Sequence, residues 1–194
     1  MNAKINIKDS ILETNRLVLR PFKRSDLDDF YAYAKVWGVG QMAGWLPHQS
    51  IKQSQEILEK FIEGEKTFAI VYKNNHKVIG SIGIENLRNI DEEKLKKLKG
   101  RELGFVLSKE YWGLGIMPEA VKKVIDYLFH DCNLDFITCS YFIDNNQSKR
   151  VQEKCGFKFL KKVILPTQMQ EEKEGNEKAY RVERPDNQCT DRLN

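Results

Sequence analysis

Gly113 and Gly115 stand where a β-rich run, residues 101–107, gives way to a helical run that opens near Pro118. A strand feeding a glycine turn that starts a helix aims several main-chain N–H groups and the helix dipole at one spot, and such a spot holds a diphosphate. Read alone, two glycines between a strand and a helix are more often a tight turn than a ligand site. The chain carries neither GxxxxGK[ST] nor the full GxGxxG fingerprint, which argues against ATP and NAD. Downstream, Asn145 and Ser148 precede a short helical run, and their local reading is an N-cap pair. Cys132, Cys139, Cys155 and Cys189 form no CxxC pair and have no close histidine partners, so neither a metal site nor a disulfide frame is indicated. The first three read as reduced thiols in or near the core, and Cys189 as a tail thiol.

The elements that must position these residues follow from periodicity. Residues 13–22 alternate, with Leu17 and Leu19 on one face and Arg16, Val18 and Arg20 on the other, up to Pro21. Ser25 precedes a helix carrying Leu27, Phe30, Tyr31 and Ala34, with acidic residues in its first turn. Ser50 and Gln53 fit a capping box for a second helix that runs to Gly64. Residues 37–49 between them have no regular period and read as a loop. Residues 67–72 and 77–84 flank a polar turn and form a hairpin. Residues 87–100 read as an exposed, charged excursion before the strand at 101–107. Ala120, Val121, Val124, Ile125 and Leu128 then share the face of the clearest helix. A strand at 136–143, a helix at 148–155 ended by Gly156, a strand at 157–165 and a last strand near 178–182 complete an α+β order.

The chain has 194 residues, 41% of them hydrophobic, which suits one domain over 1–182 with a polar tail at 183–194. Its net charge of +4 comes from interspersed residues of both signs rather than a basic stripe, so no nucleic-acid partner is expected. The longest apolar stretches fall far short of the roughly 20 residues that cross a bilayer. The first residues lack an apolar signal region, and a cytoplasmic location is expected.

Three blocks occur in order: TxRLxLRP from Thr14 to Pro21, YWGxGxxxEA from Tyr111, and NxxSxxxxEKxGF from Asn145. Together they resemble the RimJ/RimL branch of the GNAT N-acetyltransferases over roughly residues 10–182. The resemblance implies a mixed, mostly antiparallel sheet flanked by helices and splayed between its fourth and fifth strands, with the pantetheine arm of acetyl-CoA in the gap. It places Phe105, Val106 and Leu107 beside the pantetheine and acetyl groups through their main chain. It puts the diphosphate on Trp112, Gly113, Leu114, Gly115, Ile116 and Met117. Asn145 would bond the pantetheine arm, and Ser148 would lie near the sulfur and protonate the leaving thiolate. Many members place Gln or Arg where this chain has Glu110, and a tyrosine acid where it has Gln152; an amide supplies no proton, so that duty passes to Ser148.

Glu102 is the candidate base, as a carboxylate beside the acetyl group, set against a plain solvent-facing or ion-paired role. At pH 7 an α-amine costs about 1 kcal/mol to deprotonate and a lysine-like amine about 4 to 5. Trp37, Met42, Trp45, Leu46, Tyr31 and Tyr33 are candidates to wall an acceptor cleft, against a default as core or lid aromatics; His48 and His76 read as surface residues without a role. The expected reaction is direct attack of a primary amine on acetyl-CoA in a ternary complex, without metal or cysteine, by a monomer or homodimer. The resemblance implies a protein N-terminus as acceptor. Polyamines, antibiotics or other small amines, and a catalytically idle acyl-CoA-binding regulatory module, are the alternatives.

Overall fold

A computed structural model describes residues 1–88, 93–164 and 176–183. Its strands are β1 (Leu12–Glu13), β2 (Leu17–Pro21), β3 (Thr67–Tyr72), β4 (Val78–Glu85), β5 (Gly100–Leu107), β6 (Phe136–Phe142), β7 (Lys158–Ile164) and β8 (Asn176–Glu183). The helices are α1 (Leu27–Ala34), α2 (Ile51–Gly64), the single turn α3 (Glu93–Lys96), α4 (Ile116–His130) and α5 (Asn146–Lys154). All strands join one sheet in the order β1-β2-β3-β4-β5-β6-β8-β7. Every pairing is antiparallel except β5 with β6.

That one parallel pairing decides the architecture. Its register runs from Gly100 opposite Phe136 to Leu103 opposite Cys139 and stops there. Residues 104–107 stay paired to β4, while residues 140–142 stay paired to β8, so the two strands part company. The expected run at 13–22 is broken into β1 and β2 by a turn, which makes β5 and β6 the fourth and fifth strands of the sequence count. The expected splay is therefore present where the resemblance put it.

Strand alternation divides two cores. Leu17, Leu19, Phe68 and Ile70 pack toward α4, whose Ala120, Val121, Val124 and Leu128 are fully buried. The intervening Val18, Ala69 and Val71 pack toward α1 and α2 with Phe30 and Leu58. Each such aliphatic contributes about 1.5–3 kcal/mol by leaving water. Ile5 and Ile7, in a leading segment not read as structured, also enter the α4 core.

Several boundaries move for local reasons. Asp26, not Ser25, organises the start of α1: its carboxylate accepts the Lys23 N–H at 2.8 Å and grips Arg20 with two bonds at 2.7 and 2.8 Å. Ser50 does cap α2, accepting the Gln53 N–H at 3.2 Å. α4 begins at Ile116, so Pro118 lies at its third position, where a missing N–H costs nothing. Gly156 ends α5 with φ +81° as expected. Residues 89–92 of the charged excursion, Cys189 and residues 184–194 of the expected tail lie outside the described residues.

Candidate active site

Where β5 and β6 separate, a cleft of about 650 Å³ opens between residues 102–107, 112–118 and 139–151 and the loop at 39–45. All of the sequence-predicted site residues except Leu114 line it; Leu114 is exposed on the turn between its two glycines. Gly113 and Gly115 adopt φ +79° and +73°, the left-handed region that favours glycine. A Cβ at Gly113 would meet nothing within 4 Å, so open space lies beside the turn. The N–H groups of Gly113, Leu114 and Gly115 meet no acceptor among the described residues. Those of Ile116 and Met117, in the first turn of α4, have no intrahelical acceptor either. Trp112 closes the turn against the strand by donating its indole N–H to the Leu107 carbonyl at 2.8 Å. Main-chain amides at a helix N-terminus arranged in this way could hold a diphosphate.

Deeper in the cleft, the candidate base is 3% exposed and fully engaged. One Glu102 oxygen accepts Arg88 Nη2 at 2.7 Å and the Ser140 hydroxyl at 3.1 Å; the other accepts the Arg88 main-chain N–H at 3.3 Å. Glu102 is thus ion-paired, as the alternative sequence reading expected, and it also lines the cleft. The Ser140 bond reaches across the gap just beyond the last ladder pair.

On the opposite wall, Asn145 caps α5 by accepting the Ser148 N–H at 3.0 Å and donates to the Met42 carbonyl at 3.1 Å. Its local capping role is real, and it also ties the 39–45 loop to the helix. Gln152 is fully buried, and its Nε2 donates to the Ser140 carbonyl and to Ser148 Oγ, both at 3.3 Å. Only an NH₂ can face a carbonyl, so this amide orientation is chemically required. Its Oε1 finds no partner among the described residues. Because Ser148 Oγ accepts from Gln152, its own proton is free to be donated elsewhere. Gln152 has no proton to supply as an acid, but its amide donates to the hydroxyl oxygen of Ser148.

The acceptor side is narrower than expected. Met42 and Trp45 line the cleft. Trp37 and Leu46 do not, and are 72% and 49% exposed; Tyr33 is core, and Tyr31 carries Lys35 over its ring. His48 overturns its surface reading: it is 6% exposed, sits 2.7 Å from Ser54 Oγ and packs against Phe30 and Trp45. Burial holds its imidazole below the usual value. His76 is exposed, as expected. Burial, against the nearby Lys122 charge, pushes the Cys155 thiol up to about 11, which disfavours its thiolate. Among the described residues no cluster suits a metal ion, and no helix is long and apolar enough to cross a membrane.

Sequence reading did not find Arg88, Ser140 or the role of Gln152. The Ser148–Gln152 spacing of one helical turn was an available signal for the last. Arg88 lay in a charged stretch with nothing to mark it.

A parted sheet with an amide-lined turn at its mouth is the architecture of the acyl-CoA N-acyltransferases. The family model described as an acetyltransferase (GNAT) domain matches residues 16–158, and the chain belongs to that family. It is similar to the N-acetyltransferase p20 of Bacillus licheniformis, 30% identical over 152 residues that cover 75% of this chain and 81% of that protein. Its fold resembles a ribosomal-protein-S5-alanine acetyltransferase from Vibrio fischeri, with TM-score 0.68 and 24% identity over 92% of this chain and 98% of that one. It also resembles a spermidine N-acetyltransferase from Vibrio cholerae in complex with CoA and spermine, with TM-score 0.70 and 18% identity over 93% and 100% of the two chains. The protein is an acetyl-CoA-dependent N-acetyltransferase.

Proposed function

We propose that this enzyme acetylates α-amines, a protein N-terminus of the RimJ/RimL type foremost, from acetyl-CoA held with its diphosphate on residues 112–117 and its pantetheine arm in the gap between β5 and β6. The observation that carries the reading is the pairing of amides that meet no acceptor among the described residues, at the cleft mouth, with Glu102 and Ser148 lining the same cleft. Asn145 and the main chain of Phe105, Val106 and Leu107 line the arm's path. Acetyl-CoA supplies an acyl carbon activated as a thioester: the amine nitrogen bonds to it, the carbon–sulfur bond breaks, and the sulfur leaves with the electron pair.

Glu102 accepts the amine proton through a water, and Ser148 presents its hydroxyl proton to the sulfur while Gln152 holds its oxygen. With both carboxylate oxygens of Glu102 already accepting bonds, few lone pairs remain for a strongly held proton. That favours an α-amine, which needs about 1 kcal/mol of help at pH 7, over a lysine-like amine, which needs about 4 to 5. A polyamine remains the second reading, favoured by the likeness to a fold bound to spermine. A single chain domain over residues 1–182, acting in the cytoplasm, completes the reading.

The test is CoA thiol release with a panel of peptides bearing free N-termini, polyamines and aminoglycosides. We expect the highest kcat/KM with a peptide α-amine, and a larger loss on Glu102→Gln for lysine-like than for α-amine acceptors. Preference for spermine would overturn the acceptor assignment. Binding without turnover on any amine would identify an idle acyl-CoA module.

A further inference from the structure

Two residues of the sequence blocks, Arg16 and Glu119, take no part in the chemistry above, although they lie about a hundred positions apart and meet behind the glycine turn. Arg16 Nε donates to Glu119 Oε2 at 2.7 Å, with Nη2 2.6 Å from the same oxygen. The other carboxylate oxygen accepts Thr14 Oγ1 at 2.5 Å and the Arg16 main-chain N–H at 3.1 Å. Burial pushes the Glu119 carboxyl up, but the bonds from Thr14 and Arg16 together with the Arg16 charge outweigh it and hold it below the usual range. The carboxylate therefore stays charged and the fork stays in place near neutrality.

The remaining arm of the guanidinium, Nη1, donates to the Leu114 carbonyl at 2.9 Å. A trans peptide is planar, with its C=O and the following N–H pointing in opposite directions. Drawing the Leu114 oxygen toward Arg16 turns the Gly115 N–H away from Arg16, on the glycine turn that lines the cleft. A cation on the carbonyl also polarises the peptide and strengthens that N–H as a donor.

We propose that Arg16, oriented by Glu119 and Thr14, is a positioning residue for the acyl-CoA diphosphate, fixing the Leu114–Gly115 peptide so that its N–H faces the ligand. The proposal rests on the reading that the diphosphate lies on residues 112–117. It gives the first sequence block a role in cofactor affinity rather than in the fold alone. A purely structural ion pair, with Arg16 40% and Glu119 21% exposed, would contribute little and would not distinguish one acyl donor from another.

The experiment compares acetyl-CoA with S-acetylpantetheine, which carries the acyl arm without the diphosphate, alongside the Kd of CoA by calorimetry. Arg16→Ala should raise the CoA Kd about tenfold, the share of one charged hydrogen bond, and hold kcat at saturating acetyl-CoA within about twofold. With S-acetylpantetheine, kcat/KM should stay within about twofold of the parent. Arg16→Lys keeps the charge, loses the fork and should behave like the alanine variant. Arg24→Ala, which removes the remote pair with Glu59, should change none of these values.

An unchanged CoA Kd, or equal losses with both donors, overturns the positioning role. Where the truncated donor turns over too slowly to measure, the Kd and kcat with acetyl-CoA decide. Gly115→Val separates the two levels of inference. Lost CoA affinity there with none lost in Arg16→Ala sinks the positioning role alone, whereas no loss in either removes the diphosphate from this turn.

Discussion

The glycine turn at 112–117 and the loop at 39–45 line the same cleft and are built in opposite ways. Residues 112–117 present main-chain features: two left-handed glycines, amides without an acceptor among the described residues, and a carbonyl that accepts a bond from Arg16. The loop at 39–45 works through side chains, with Met42 and Trp45 toward the cleft and one bond from Asn145 to the Met42 carbonyl holding it to α5. Backbone conformation demands particular residues, glycine above all, so it leaves a mark in the sequence. A side-chain wall accepts many compositions, which is how one fold serves different amines.

The largest blow to this contrast falls on the turn. Gly115→Val forces a β-branched residue to φ +73° and should cost CoA affinity about a hundredfold by calorimetry, with the acceptor KM little altered. A variant that binds CoA normally would show that the turn is not where affinity is made.

Next comes the chemistry shared by both regions. Ser148→Ala should lower kcat about tenfold to a hundredfold with the acetyl-CoA KM retained, and Gln152→Leu should reproduce part of that loss without removing the hydroxyl. Full activity in the serine variant would remove it from the reaction.

A smaller effect sharpens the acceptor side. A Cβ at Gly40 would stand 2.2 Å from the Trp45 ring, although the backbone there has an ordinary helical φ of −69°. Gly40→Ala must displace the indole, and should raise the acceptor KM about fivefold to tenfold while CoA affinity holds. Equal losses on both ligands would mean that the loop also supports the cofactor.

The smallest effect concerns stability behind that loop. His48 is buried neutral, so its folded value lies below the ordinary 6.5. A depressed value means the unfolded chain binds the extra proton. The stabilisation is therefore complete above pH 6.5 and is lost as pH falls below it. Urea midpoints measured from pH 7.5 to 5.5 should decline in the parent and decline less in His48→Gln; equal slopes would assign the pH dependence elsewhere.

Much of this was legible from the amino-acid order. The alternation around Leu17 and Leu19, the apolar face of α4, the Ser50 cap and the Gly156 terminator all depend on neighbours within a few positions. The glycine turn belongs with them, since a positive φ is a local demand. His48 was misread because its burial is decided by α1, whose Phe30 ring and Ala34 carbonyl meet it through the fold. Asp26 rather than Ser25 organises the start of α1 because Arg20, near the end of β2, fixes its carboxylate.

The sequence by itself determined which residues could form the elements and which turn could receive a diphosphate, because propensity, periodicity and backbone freedom act over short stretches of chain. Only the tertiary structure decided that Arg88 would meet Glu102, that Gln152 would bond the Ser140 carbonyl on β6, and that Arg16 would reach Leu114. Those contacts join residues far apart along the chain or on different elements, and their geometry follows from how the elements pack, which no local stretch encodes.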